Sequence, residues 1–569
     1  MATMPSDERR LTLTPKLMTV LRAGYAPSDL RRDAVAGLTV AIVALPLAMA
    51  LAIASGASPD KGLVTAVVAG FLISLLGGSR VQIGGPTGAF VVVVFNVIAQ
   101  HGLDGLVIAT LMAGLILIVA GYAGLGNLVR FIPQPVITGF TAGIAVIIAS
   151  SQVKDFLGLS MTNVPADFLP RWQAYFGAME SVQIGAIAIG MTSLALIISL
   201  RKWAPRLPGF LITVLVASAL VVPLQLPVET IGSRFPGLST GLPAPALPDI
   251  SLLKIQSLVP SAFTIAFLAG IEALLSAVVA DGMIGSRHRS NQELIGQGVA
   301  NLASALLGGL PATGAIARTA TNIKAGGTTP IAGMLHAAFL LLFMLFASSL
   351  MAYVPLPALA AILFVVAWGM SEHHRFLQLL RMPHGDRTLL LLTFFLTVLV
   401  DLTVAIGVGI TLASLVFMMR MSRTVEISSD RQTSLRDDQS EEIGQRAALP
   451  AGVEIFRIDG PIFFGVAHEL LDTLSRIGPV PQVIILRMRR VPLLDASGVT
   501  IIGEIVARAT TAGTQIILSG VQAQPLAMLE RGALGVRSRR LIYSADLPEA
   551  LRVAAAIADA PPANQMSVH

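Results

Sequence analysis

The sequence predicts a polytopic α-helical membrane protein that carries a small α/β domain at its C-terminal end. Three observations predict it. Only 13% of the 569 residues are charged, against 54% hydrophobic, and mean hydropathy is +0.77, whereas soluble domains carry about a quarter charged residues. Apolar segments follow one another from about Ala34 to Met421. Beyond Met421 the texture changes to short apolar runs set among polar ones, as in a water-soluble domain.

The apolar segments lie near 34–54, 61–78, 85–99, 104–121, 134–152, 182–200, 209–224, 259–283, 293–309, 313–325, 330–353, 357–370, 387–402 and 404–421, fourteen in all. Two of them, 85–99 and 313–325, fall short of the ~20 residues a helix needs to cross hydrocarbon. Orientation follows from Lys and Arg. Arg9, Arg10, Lys16, Arg22, Arg31 and Arg32 precede the first span, which puts the N-terminus in the cytoplasm. Alternation then puts Arg80, Arg130, Arg201, Lys202, Arg206, Arg287, Arg289, Arg375, Arg381 and Arg387 on the same side, and the C-terminus with them. The opening residues are polar, unlike a cleavable leader.

The domain division expected is a cytoplasmic segment 1–32, a membrane domain 33–422, a polar linker 423–451, an α/β domain 452–556 and a disordered tail 557–569. In the α/β domain "VEIFRIDG", "QVIILRMRR" and "TQIILSGV" read as strands, and "GVTIIGEIVARATTAG" as a helix that stops at Gly513.

Composition also excludes function classes. Cysteine is absent, which removes disulfides, thiolate metal sites and cysteine catalysis. No metal-ligand cluster and no nucleophile–base pair stands out, so neither a metal, a cofactor nor an enzyme is expected; His373 and His374 lie in a basic loop. The net charge of +6 is modest and its basic residues are scattered, which fits cytoplasmic loops beside a lipid bilayer rather than a nucleic-acid surface.

Two interruptions carry the functional reading. "GGPTGAFVVVVFNVI" begins at Gly84 and "PATGAIARTATNIKAG" at Pro311. Each breaks the chain with glycine or proline and then opens a short span with Thr-Gly-Ala. In hydrocarbon every backbone polar group needs a partner. A break at mid-membrane depth leaves N–H groups free at the next helix start, which carries about half a positive charge and can bind an anion. The breaks fall in the third and tenth spans, equivalent positions in two sets of seven, as in transporters built from inverted repeats.

Ionisable residues inside spans are functional candidates. Glu272 lies deep in the eighth span and Ser276 one turn later on its face; they are candidate coupling residues for H⁺ or Na⁺. Asp281 lies near the cytoplasmic end. Arg318 stands one turn after Gly314, able to neutralise the anion, to pair with Glu272, or to snorkel with Lys324. Pro46 breaks the first span and, beside two half-helices, suggests an unwound wall of the site.

These residues make the chain resemble the SulP family of anion permeases, which join a fourteen-span, uracil-permease-like membrane domain to a cytoplasmic STAS domain. The resemblance runs from about Arg32 to Arg552. It is carried by "GLTVAIVALPLAMALAIASG", "GGSRVQIGGPTGAF", "DGMIGSRHRSNQELIGQGVAN", "ATGAIARTATNIKAG" and "VVAWGMSEHHRF", and in the STAS part by "GPIFFGVAHELL" and "VPLLDASGVTII". The chain looks most like bacterial DauA-type members, which take up four-carbon dicarboxylates. The resemblance implies 7+7 inverted repeats, a core of spans 1–4 and 8–11, a gate of the others, and a homodimer in the bacterial inner membrane. It implies an anion held against Gly85, Pro86, Thr87, Gly88, Gly314, Ala315 and Ile316.

Resembling members that couple to Na⁺ carry Asp at the Glu272 position, Thr near Ser276 and Thr near Ile316; Glu, Ser and Ile here favour protons. Leu47 stands where many sulfate-type members carry Gln. Ser497, in Asp495-Ala496-Ser497-Gly498, occupies the position of the phosphoacceptor serine of related anti-sigma-factor antagonists; read from the residues, a serine there is a helix cap. The STAS domain could meet a cytoplasmic protein partner. The expected function is secondary active uptake of a dicarboxylate, with bicarbonate or sulfate next. An uncoupled anion channel and a membrane sensor are the other classes.

Overall fold

The computed structural model describes residues 13–127, 133–161, 164–205, 207–221, 223, 226–237, 241–400, 402–429, 452–466, 481–532, 534 and 541–559. The chain divides into two compact units, Met1–Ala413 and Ser414–His569.

A helix lies at each of the fourteen predicted apolar segments. After α1 (Lys16–Ala23) come α2 (Pro27–Ala54), α3 (Pro59–Leu76), α4 (Val91–Tyr122), α5 (Gln134–Leu157), α6 (Ile184–Trp203) and α7 (Gly209–Val221). The second set is α8 (Leu252–Ile284), α9 (Ser290–Leu306), α10 (Ile316–Lys324), α11 (Pro330–Phe346), α12 (Leu356–Met370), α13 (His384–Leu399) and α14 (Leu402–Ser422). Proline at the first turn starts α2, α3, α5, α11 and α12, where its missing N–H costs nothing. The third and fourth spans are the two halves of α4, broken at Gly102 (φ 68°).

By length and composition, eight of the described helices could cross a bilayer; α7 and α11 are shorter apolar helices. Helix α9 is not among them. Its residues Glu293, Gln297, Asn301 and Ser304 recur at helical spacing, and all four are fully buried. In a bilayer the polar stripe of a helix turns inward, because lipid offers it no partner.

Within the membrane unit, helix packing separates two bundles. Helices α2, α3 and α4 pack on α8, α9 and α11, while α5 and α6 pack on α12, and α5 on α13. These are the expected core and gate sets. The N-terminal segment taken as 1–32 is already helical from Pro27, ahead of the predicted span start.

The second unit contains a five-stranded sheet in the order β3 (Glu426–Ser429), β4 (Val453–Asp459), β5 (Val483–Arg490), β6 (Gln515–Ser519), β7 (Leu541–Ser544). Strand β3 is antiparallel to β4, and the others run parallel. Alternation along β5 sends Ile484 and Leu486 to one face, with Ile502 and Ile505 of α15 (Ala496–Thr511), and Val483 and Ile485 to the other, with Ala550 and Ala554 of a helix at Leu547–Ala558. Residues 426–429, expected within the linker, are strand instead, because Val425 and Ile427 supply apolar positions in a polar run. Residues 430–451 of the expected linker and 560–569 of the expected tail lie outside the described residues, while tail residues 557 and 558, expected to be disordered, are the last turn of the Leu547–Ala558 helix, whose apolar face packs on the sheet.

Candidate functional site

The two interruptions meet. Gly84–Gly85 (β1) pairs antiparallel with Thr313–Gly314 (β2), Gly84 opposite Gly314 and Gly85 opposite Thr313, and the Ala315 N–H donates to the Ile83 carbonyl at 2.8 Å. The glycines leave room for two side chains that fill the crossing. A Cβ on Gly314 would lie 1.4 Å from Gln82 Nε2, and one on Gly85 (φ +150°) 2.5 Å from Arg318 Nη1. Beyond the crossing each chain turns into a helix, one through the 3₁₀ turn Gly88–Phe90 into α4, the other directly into α10. The two starts are therefore neighbours, each with first-turn N–H groups that no helical carbonyl accepts.

Polar side chains fasten the crossing. Thr313 Oγ1 donates to the Ala269 carbonyl (2.7 Å) and Gln82 Nε2 to the Ala273 carbonyl (3.1 Å), one turn apart on α8. Thr319 Oγ1 accepts from Ile83 N (3.1 Å) and from Ser276 Oγ (3.2 Å). Asn322 Nδ2 donates to the Val81 carbonyl, and Asn301 exchanges two hydrogen bonds with the Ala312 backbone. Glu293 accepts from Gly78 N (2.8 Å), Ser79 N (3.1 Å) and Gln297 Nε2 (2.8 Å). The backbone of the crossing and of its approach is thus satisfied inside the protein.

Glu272 and Thr87 stand at the open side of this frame. Both are half-buried, and Thr87 Oγ1 donates to Glu272 Oε2 at 2.6 Å. Ile316 is 41% exposed, while Gly85, Pro86, Gly88, Gly314 and Ala315 are buried in the crossing. Arg318 is buried behind it and donates from Nη2 to the Pro86 carbonyl at 2.8 Å; among the described residues its Nε and Nη1 have no hydrogen-bond partner.

Several sequence expectations are corrected. Arg318 neither pairs with Glu272 nor snorkels with Lys324: the side chain is 3% exposed and turned to the Pro86 carbonyl. Ser276 does not stand beside Glu272 at the open side; it is fully buried against Thr319. Pro46 does not unwind the first span, since α2 runs unbroken through it; one missing N–H leaves one carbonyl to satisfy, not a gap. Ser497 is not the helix cap: Asp495 caps α15, its Oδ1 accepting from Gly498 N at 2.8 Å, and Ser497 is the second helical residue, half-buried.

Sequence reading missed Gln82, Glu293, Asn301, Thr319 and Asn322. The signal was the four-residue spacing of Glu293, Gln297 and Asn301 in an otherwise apolar segment. It also missed a chain of contacts at the α8–α9 turn, where Ser290 Oγ lies 3.0 Å from His288 Nε2 and His288 Nδ1 lies 2.7 Å from Asp281 Oδ2. That chain ties the end of α8 to the first residue of α9. Among the described residues no group of His, Asp and Glu is arranged to hold a metal.

Two predictions arise from the frame. Gly314→Ala must expel the Gln82 side chain from its bond to Ala273, so thermal stability is expected to fall by about 1–3 kcal/mol, the usual cost of overpacking. Adding Gln82→Ala should return part of that loss, a non-additivity a double-mutant cycle detects. Glu293→Ala leaves the Gly78, Ser79 and Gln297 donors without acceptors and is expected to cost about 2 kcal/mol or more, read as a lower Tm of the detergent-solubilised protein.

Helices in two bundles, with paired half-helix ends crossing inside one of them, define a membrane transport protein. The chain belongs to the SulP family of anion transporters: residues 30–393 match the sulfate permease family, and residues 447–538 match the STAS domain. It is 40% identical to a putative sulfate transporter, YvdB, of Bacillus subtilis, over 90% of this chain and 95% of that one. It is 31% identical to the bicarbonate transporter BicA of Picosynechococcus, over 88% and 91%. The solved transmembrane domain of a cyanobacterial BicA superposes with a TM-score of 0.60 at 32% identity, covering 68% of this chain and 98% of that one. The fold also matches murine Solute Carrier 26 family member A9 in the inward-facing state, with a TM-score of 0.85 over 98% and 96% of the chains at 18% identity.

Proposed function

We propose that the protein is a secondary active transporter that takes up a small oxyanion across the bacterial cytoplasmic membrane by alternating access, with protons as the coupling ion. The observation that carries this reading is the meeting of two half-helix N-termini, with the Thr87–Glu272 pair at their open side and the unengaged donors of Arg318 behind them. Helix ends and a guanidinium attract an anion. A carboxylate in the same site repels it unless protonated, so proton and anion favour each other's binding, which symport requires. Glu272 in place of Asp and the apolar Ile316 support protons over Na⁺.

Four-carbon dicarboxylates are supported by the sequence resemblance, and sulfate and bicarbonate by the names of relatives at 40% and 31% identity. Both termini in the cytoplasm, the domain division at about residue 422, a homodimer and a cytoplasmic partner for the STAS domain belong to the same reading. Proteoliposome uptake of labelled succinate, sulfate and bicarbonate tests it. Accumulation above the outside concentration, collapsed by a protonophore, is the expected result for at least one of them. Flux that merely equilibrates would make the protein an uncoupled channel or exchanger, and no flux of any of the three would favour a sensor.

A further inference from the structure

The start of α4 is covered from the gate side. Gly88 opens the 3₁₀ turn that leads into α4, and α5 packs on that turn. A Cβ on Gly88 would lie 2.6 Å from Met370 Sδ, 3.3 Å from Met370 Cε and 3.0 Å from Ile148 Cδ1. Met370 is the last residue of α12 and is half-buried, whereas Ile148, in the middle of α5, has no exposed surface. Both belong to the gate bundle and Gly88 to the core bundle. Two apolar side chains of one bundle therefore meet the backbone of the other, next to Thr87 and its bond to Glu272.

The core side of the site is braced. The two helix starts are joined through β1 and β2, and Thr313 and Gln82 tie them to α8. The gate side ends in a thioether and a branched alkyl group, neither of which has a hydrogen to donate to an anion. An anion held at the starts takes no hydrogen bond from these two side chains. What they contribute is a wall, and the position of a wall limits size. Ile148 is β-branched and stiff. Met370 is unbranched and adaptable, so it is the part of the wall that can yield.

We infer that Met370, backed by Ile148, sets the size of anion that the site accepts, with Gly88 supplying the room between this wall and the start of α4. The inference rests on the anion site proposed above and adds to it the element that selects among anions. A shorter side chain at position 370 moves the wall back and admits a longer anion. A Cβ at position 88 displaces Met370 into the remaining space and admits only a shorter one.

The test is competition against uptake of whichever labelled anion the parent accepts, of succinate, sulfate and bicarbonate, in proteoliposomes of the full chain. The competitors are malonate, succinate and glutarate at slightly alkaline pH, where all are dianions that differ in length by a methylene. One methylene against an apolar wall is worth about tenfold or more in discrimination. Met370→Ala is expected to lower the inhibition constant of glutarate relative to that of malonate by about tenfold, Ile148→Val to lower it less, and Gly88→Ala to raise it. A variant that no longer transports is read by the rise in Tm that each competitor gives, which reports the same ratio. Variants that keep the parent's ratio overturn the inference and make the contact one of packing between bundles. Where the parent is inhibited by none of the competitors, inhibition gained in Met370→Ala supports the inference and its absence overturns it. A parent that neither transports nor binds any of these anions overturns the anion site itself.

Discussion

Glu272→Gln is expected to remove one decade of pH-driven accumulation per pH unit while leaving substrate exchange in place. Glutamine matches the protonated carboxyl in shape and can still accept the Thr87 hydroxyl, whose 2.6 Å bond positions this side chain. What it loses is the ability to become charged. In the parent, an ionised Glu272 and an arriving anion repel; at an effective dielectric of 20, two unit charges about 5 Å apart differ by about 3 kcal/mol from the neutral case. Apparent anion affinity should therefore fall as pH rises through the deprotonation of Glu272, and the Gln variant should lack that slope. The check is uptake against an imposed pH gradient, alongside isotope exchange at equal pH on both sides. Exchange that survives with the slope lost assigns the proton to Glu272. A slope equal to the parent's moves the coupling group elsewhere.

That prediction was reachable from sequence because the features that carry it are local. A Gly-Pro interruption before a short apolar run can be read from fifteen residues, and so can a lone carboxylate in a long span. The pairing of β1 with β2 was not legible, since Gly84 and Gly314 are joined by backbone contacts across more than two hundred residues. Nor was the role of α9. Its polar stripe at Glu293, Gln297 and Asn301 has the spacing that in a soluble protein marks the wet face of a helix, whereas here it is the dry one. Arg318 illustrates the same limit. Its position one turn into the half-helix was legible, but its direction was not. Gly85, with no Cβ, leaves the room into which the guanidinium extends toward the Pro86 carbonyl. Pro46 misled because a proline in a membrane helix reads alike whether the helix unwinds or continues.

The direction of Arg318 sets the second large effect. Its charge is buried, one nitrogen holds the Pro86 carbonyl, and Nε and Nη1 are idle. Among the described residues no carboxylate pairs with it. An unpaired buried cation is costly, and an anion held by the adjacent helix starts is the group that can offset that cost. At an effective dielectric of 20 and a separation of about 6–8 Å, the attraction is about 2–3 kcal/mol, or about thirty- to a hundredfold in affinity. Arg318→Gln keeps an amide donor for the Pro86 carbonyl and removes the charge, so it should weaken anion affinity by that factor with a smaller change in Tm. Arg318→Lys keeps the charge on a side chain without the planar fork and should fall between the two. Because the charge is buried, the difference between parent and Gln variant should persist at high ionic strength. Concentration dependence of labelled sulfate and succinate uptake in both variants, at low and high salt, decides the matter. If Arg318→Gln takes up anion with the parent's affinity, the guanidinium only braces the backbone of the crossing, and the helix ends suffice to hold the substrate.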